Sequence, residues 1–135
     1  MPLKLTACFP LLLTVILILT CALNDTFVSL NEAEQIVIKV ICNLSTSGKK
    51  IYKLPDVLQA GDIVKAADST KYRVERECWF FYLDDIPEAK FAHPVRYVFV
   101  YCDNGGFEII KESWWPHLLD SMVEIASGVT YKQEK

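Results

Sequence analysis

The chain has 135 residues, with 14 Lys or Arg against 17 Asp or Glu, for a formal charge of −3 at pH 7. That length suits one compact domain rather than two. An acidic balance with no basic cluster argues against nucleic acid as a partner, because phosphate binding draws on a face of cations.

Met1 to Ala22 place a single cation, Lys4, ahead of an apolar run from Leu11 to Leu19 and finish in Thr20-Cys21-Ala22. The run is shorter than the ~20 residues a bilayer span needs, and small residues follow it, which is the layout of a secretory signal. Residues 1–22 are therefore expected to be a cleaved signal peptide. Residues 23–135 are then one small secreted domain with no stable membrane span. Removing the leader takes Lys4, Cys8 and Cys21 with it, so the mature net charge is −4 and Cys42, Cys78 and Cys102 remain. In an oxidising compartment an odd count predicts one bridge and one leftover thiol. Two glycosylation sequons stand in the mature chain, at Asn24-Asp25-Thr26 and Asn43-Leu44-Ser45.

Ser29-Leu30-Asn31-Glu32 reads as a capping box, and Leu30, Ala33, Val37, Val40, Ile41 and Leu44 follow at helical spacing. This predicts a helix from 30 to about 44, ended by Ser45-Thr46-Ser47-Gly48. Lys49 to Leu54 reads as a short edge strand stopped by Pro55, and Asp62 to Ala66 as another, with Ala60-Gly61 as turn material between them.

Arg73 to Leu83, Val95 to Cys102 and Phe107 to Glu112 are dense in β-branched and aromatic residues, and Asp103-Asn104-Gly105-Gly106 is a hairpin turn signal. An antiparallel meander is expected. A two-residue loop at Asn104-Gly105 would set Cys102 opposite Phe107, and folding the first hairpin about Lys90 would set Cys78 opposite Cys102. On that register a Cys78–Cys102 disulfide is expected, with Cys42 free. The same register puts Cys78, Phe80, Tyr82, Val98, Val100, Cys102, Phe107 and Ile109 on one face. Trp79, Phe81, Leu83, Tyr97, Phe99, Tyr101 and Ile110 fall on the other. Both faces are apolar, so each needs a cover or a partner. Pro116 at a first helical turn, the stripe Leu118, Leu119, Met122, Ile125 and Ala126, and Gly128 as a stop predict a short C-terminal helix as the second cover. The expected fold is α+β: an N-terminal helix packed on a three- to five-stranded antiparallel meander, with a short C-terminal helix.

Candidate chemistry gathers around the first hairpin's long connection. Asp84, Asp85, Glu88 and His93 are oxygen and nitrogen donors within one loop, but they lack metal-ligand spacing such as HExxH or paired CxxC. No cofactor is called for. Cys42 or Cys102 with His93 or His117 and an aspartate would supply the side chains of a thiol hydrolase, yet no nucleophile-elbow or family-like sequence surrounds them. The most unusual local sequence is Trp114-Trp115-Pro116-His117, in which a proline fixes the direction of a tandem of large aromatics. With Phe91 and Trp79, the two tryptophans are the candidate binding residues.

The order of elements over residues 29–115 broadly resembles that of cystatin-type and propeptide-type modules, which bind or inhibit other proteins; the glycine- and valine-rich loops of cystatins are absent. The resemblance implies a secreted, non-enzymatic binding or inhibitor-like module acting on an extracellular protein. The alternative is a small secreted hydrolase using His93 with Asp85 or Cys42.

Overall fold

The computed structural model describes residues 27–125. The expected signal peptide at 1–22, the sequon at Asn24 and the last residues of the expected C-terminal helix lie outside this range. The described chain is α+β, with one helical segment, a five-stranded sheet and a two-stranded ribbon.

Ser29 caps the first helix, α1 (Leu30–Ile36), by accepting the Glu32 amide, while the Glu32 carboxylate takes the Ser29 N–H at 2.8 Å. The helix widens into a π turn, Val37–Ile41, in which the Cys42 N–H bonds the Val37 carbonyl. This widening changes which residues face inward. Ala33, Val37, Ile38 and Cys42 are buried, whereas Val40, on the expected stripe, is 59 % exposed. A π turn sets bonded partners five positions apart instead of four, so the stripe rotates from Val40 onto Ile38 and Cys42. Asn43 and Leu44 then adopt left-handed backbone (φ 48° and 60°), and the helical run stops short of the expected residue 44.

Seven strands follow: β1 (Lys50–Lys53), β2 (Ile63–Lys65), β3 (Lys71–Arg73), β4 (Cys78–Asp84), β5 (Val95–Tyr101), β6 (Phe107–Glu112) and β7 (Val123–Ile125). The large sheet is ordered β6-β5-β4-β1-β7 with every neighbour antiparallel; β2 and β3 form the separate ribbon. Two expectations are corrected by this order. β1 is an inner strand, not an edge. The segment expected as a C-terminal helix is instead a 3₁₀ turn, His117–Ser121, followed by extended Met122 and by β7, which pairs Val123 to Ile125 with Lys53 to Ile51. The open edge of β1 supplies hydrogen-bonding groups that a three-residue strand satisfies, and this outweighs a modest helical periodicity.

The registers differ from those expected as well. β4 and β5 set Cys78 opposite Tyr101 and Trp79 opposite Val100, one residue away from the register that would face Cys78 with Cys102. A slip of one exchanges faces. Cys78 therefore packs with Phe80, Tyr82, Tyr97 and Phe99, while Cys102 packs with Trp79, Phe81, Leu83, Val98 and Val100 on the other side. The expected Cys78–Cys102 disulfide does not form; Cys42, Cys78 and Cys102 are free, buried thiols. Between β5 and β6 the shift is two residues, with Val100 opposite Phe107, so faces are kept. The turn is longer than two residues: Tyr101 donates to Gly106, Gly105 donates back to Tyr101, and Gly105 takes φ 70°. A Cβ there would also sit 3.2 Å from Ile36 Cδ1, so glycine lets the helix lie close to the turn.

Both faces of the sheet are covered from within the chain. Ala33 and Val37 of α1 and its π turn close one face. The ribbon, through Val64 and Ala66, closes the other together with Val74, Leu118, Leu119 and Met122.

Candidate functional site

The four aromatic candidates do not share one surface. Trp79 is 8 % exposed, and its indole N–H donates to the Val28 carbonyl at 2.7 Å while Phe27 meets it edge-on. It sits in β4 near the β5–β6 turn, on the helix side, and is a core residue with its one polar atom satisfied. The other three lie at the opposite end of the sheet. Trp114 and Trp115 follow β6 with their rings T-shaped at 5.5 Å. Trp114 is half-buried against the ribbon-side core, and its carbonyl accepts the Tyr97 hydroxyl at 2.6 Å.

Trp115 is 44 % exposed, yet its backbone is held: its carbonyl accepts the Ala67 N–H at 2.9 Å, and the buried Pro116 bridges to Ala66. The side chain is offered to solvent from a fixed anchor. Phe91 is 84 % exposed in the loop between β4 and β5, where Ile86 is also exposed. The His93 N–H bonds the Ser113 carbonyl at 3.2 Å, which ties that loop to the segment leading into Trp114. Ile86 was not visible as a candidate from sequence; it stands beside Pro87 in a loop whose polarity drew attention to its charges.

Those charges have partners. His93 Nε2 lies 2.8 Å from Asp84 Oδ1, and Nδ1 lies 2.7 Å from the Phe91 carbonyl. Both nitrogens donate together only in the imidazolium, so the Phe91 carbonyl and the Asp84 carboxylate hold the His93 pKa above its ordinary value, against the opposing pull of burial. Asp85 is taken by Arg96, whose Nε and Nη2 reach its two oxygens at 2.9 and 2.8 Å. The forked geometry fixes both side chains. The pairing of His93 with Asp85 envisaged for a hydrolase is thus replaced by His93 with Asp84.

Cys42 is not brought to His93 either. It belongs to the helix-side core, whereas Asp84, the His93 partner, stands opposite Val95 of the ribbon-side core. Burial pushes the Cys42 thiol up, and lifts Cys78 to about 12 and Cys102 to about 11. A thiol held neutral is a poor nucleophile. Among the described residues no three of His, Cys, Asp and Glu converge as a cation site. Asn43 is exposed just past the π turn. No described helix is long and apolar enough to cross a membrane.

Comparison of the chain with protein-family models, with curated proteins and with solved structures finds no match.

Proposed function

We propose that the chain is a secreted, non-enzymatic binding module of the inhibitor or propeptide kind, which engages an extracellular protein through Trp115, Phe91 and Ile86. The observation that carries this reading is the pairing of exposure with anchoring at one end of the sheet. Phe91 and Trp115 are 84 % and 44 % exposed, while hydrogen bonds at Ser113, Ala67 and Tyr97 fix the backbone that presents them. Rigid aromatics lose little freedom on binding, which is why they dominate interface energetics. Trp79, being buried, has no part in this surface. The commitment of both His93 nitrogens and the raised pKa of all three thiols favour binding over hydrolysis.

The test is capture from extracellular fluid by the immobilised full chain, compared with a Phe91→Ala, Trp115→Ala double variant of unchanged melting temperature. A protein retained by the parent should fall at least about tenfold in affinity with the variant, as for an interface hot spot. Equal retention by both would end the reading.

A further inference from the structure

The two rims of the large sheet differ in length and in what they offer. β7 is a rim of three residues, whereas β6, at the opposite rim, runs six residues in unbroken register with β5. An edge of that kind is commonly blunted by a short strand, a bulge or a proline. β6 uses none of the three.

The open hydrogen-bonding groups of β6 follow from its register. The Tyr101 N–H donates to the Gly106 carbonyl at 2.8 Å, and bonded and non-bonded pairs alternate along an antiparallel ladder. Glu108, Ile110 and Glu112 therefore turn their N–H and C=O groups toward β5. Phe107, Ile109 and Lys111 turn theirs outward, where no other described strand pairs with them.

The side chains of those three residues share the helix face, since Phe107 and Ile109 stand opposite Val100 and Val98 of the helix-side core. Phe107 is 40 % and Ile109 39 % exposed. The helical segment runs alongside them. Ile36 lies against the turn at Gly105, and Cys42 is near enough to Arg96, the residue opposite Lys111, for the guanidinium to act on its thiol. Exposed Val40 falls between those two points, so Val40, Phe107 and Ile109 form an apolar strip beside the open edge.

The charges of β6 say what fits there. When two copies of a strand pair antiparallel about a two-fold axis, the residue that meets its own counterpart fixes the register. Centring on Glu108, Lys111 or Glu112 sets like charges face to face, and centring on Ile110 sets Glu108 against Glu112 twice. Centring on Phe107 leaves most of the strand unpaired. Centring on Ile109 avoids both faults: Ile109 meets Ile109, Phe107 meets Lys111, and Glu108 meets Ile110. The Lys111 stem and ammonium then have an aromatic ring to lie on. In this register the outward groups face one another and make about six backbone hydrogen bonds.

We infer that β6 is a self-association edge, on which a second copy of this chain pairs antiparallel about Ile109. The two five-stranded sheets become one continuous sheet with both helical segments on the same face. Val40, Phe107 and Ile109 of the two copies are then covered together. This surface shares no residue with the Trp115 corner and does not depend on it.

The test is analytical ultracentrifugation of the full chain, whose mass should double as concentration rises through the micromolar range. Ile109→Lys, at an exposed position, should weaken association at least about tenfold and leave the melting temperature of dilute protein unchanged. Ile109→Cys should cross-link two copies on oxidation, because Cα atoms of a bonded pair lie about 5.5 Å apart, and Ile110→Cys should not. In the parent, the amides of Phe107, Ile109 and Lys111 should exchange more slowly at high concentration, while those of Glu108 and Ile110 stay protected throughout. A monomer at every concentration, which is the outcome if another segment or a different protein covers β6, would overturn the inference. So would a dimer indifferent to Ile109→Lys, or cross-linking through position 110 in place of 109.

Discussion

The two faces of the large sheet come from alternate residues of the same strands, yet they are closed in different ways. On the helix side, Phe81, Leu83, Val98 and Val100 meet Ala33 and Val37, aliphatic and phenyl groups, with Trp79 at one end donating its indole N–H to Val28. On the ribbon side the residues are mainly aromatic. Phe80 packs on Phe99 at 5.0 Å, Phe80 and Tyr72 meet Tyr97 edge-on, and Tyr52 stacks on Tyr82. Here short pieces replace a continuous helix, and tyrosine hydroxyls pin them: Tyr97 to the Trp114 carbonyl and Tyr72 to Glu112. The helix and its π turn cover their face with apolar side chains; the ribbon side is fastened by tyrosine hydroxyls and leaves a cleft between the β3 segment and the strands β5 and β6.

The largest effect expected from this contrast is at the fully buried aromatics. Phe81→Ala should cost about 3–5 kcal/mol in denaturant unfolding, toward the upper end because its void is enclosed. Phe99→Ala should fall near about 3 kcal/mol, because Phe99 borders a cleft open to the surface. Equal losses would mean that the two faces are equally closed in solution. Next in size is Tyr97→Phe, which removes a buried hydroxyl and leaves the Trp114 carbonyl without its donor, at a cost of about 1–3 kcal/mol. Its readout includes tryptophan fluorescence, which should report a loosened Trp114-Trp115 corner. A change confined to helical signal would contradict the pinning role.

The smallest effect is a pH dependence confined to the ribbon side, where His93 meets Asp84. The folded pKa of His93 is raised above 6.5, so its contribution is fully present below the unfolded value and is lost as pH rises through the folded one. Amide protection in the 85–94 loop, corrected for the intrinsic rise of exchange with pH, should fall across that range, whereas the protection of α1 should stay constant. His93→Gln should remove the pH response; a response that survives the substitution would assign it to another group.

The difference between the faces also explains what could be read from sequence. Ser29 and Glu32 act within one turn, and both hydrogen bonds of the capping box are present. The β4, β5 and β6 segments are dense in β-branched and aromatic residues, a local signal. Register is not local in the same way. It depends on how the ten-residue connection from Asp85 to Pro94 closes, and a slip of one residue is enough to separate Cys78 from Cys102 and exchange their faces.

The Met122 to Ile125 segment shows the same limit. Its apolar spacing fits a helix, but its conformation is decided by the vacant edge of β1, far away in sequence. Of the candidate site, Trp115 and Phe91 stand out by type, whereas the exposure that separates them from Trp79 depends on which ends of the sheet they occupy.

The placement of β7 bears on how the protein must be made. β1 holds Ile51 at 3 % exposure, but among the described residues its outer edge is matched only by residues 123–125, some seventy residues further along the chain. A nascent polypeptide that has emerged as far as Met122 therefore displays an inner strand as though it were a rim, ready to recruit a neighbouring copy. The finished molecule replaces that hazard with a rim three residues long. Termination just before Val123 would convert a protected sheet into an adhesive one, so β7 serves as a seal on β1 as much as a part of the fold.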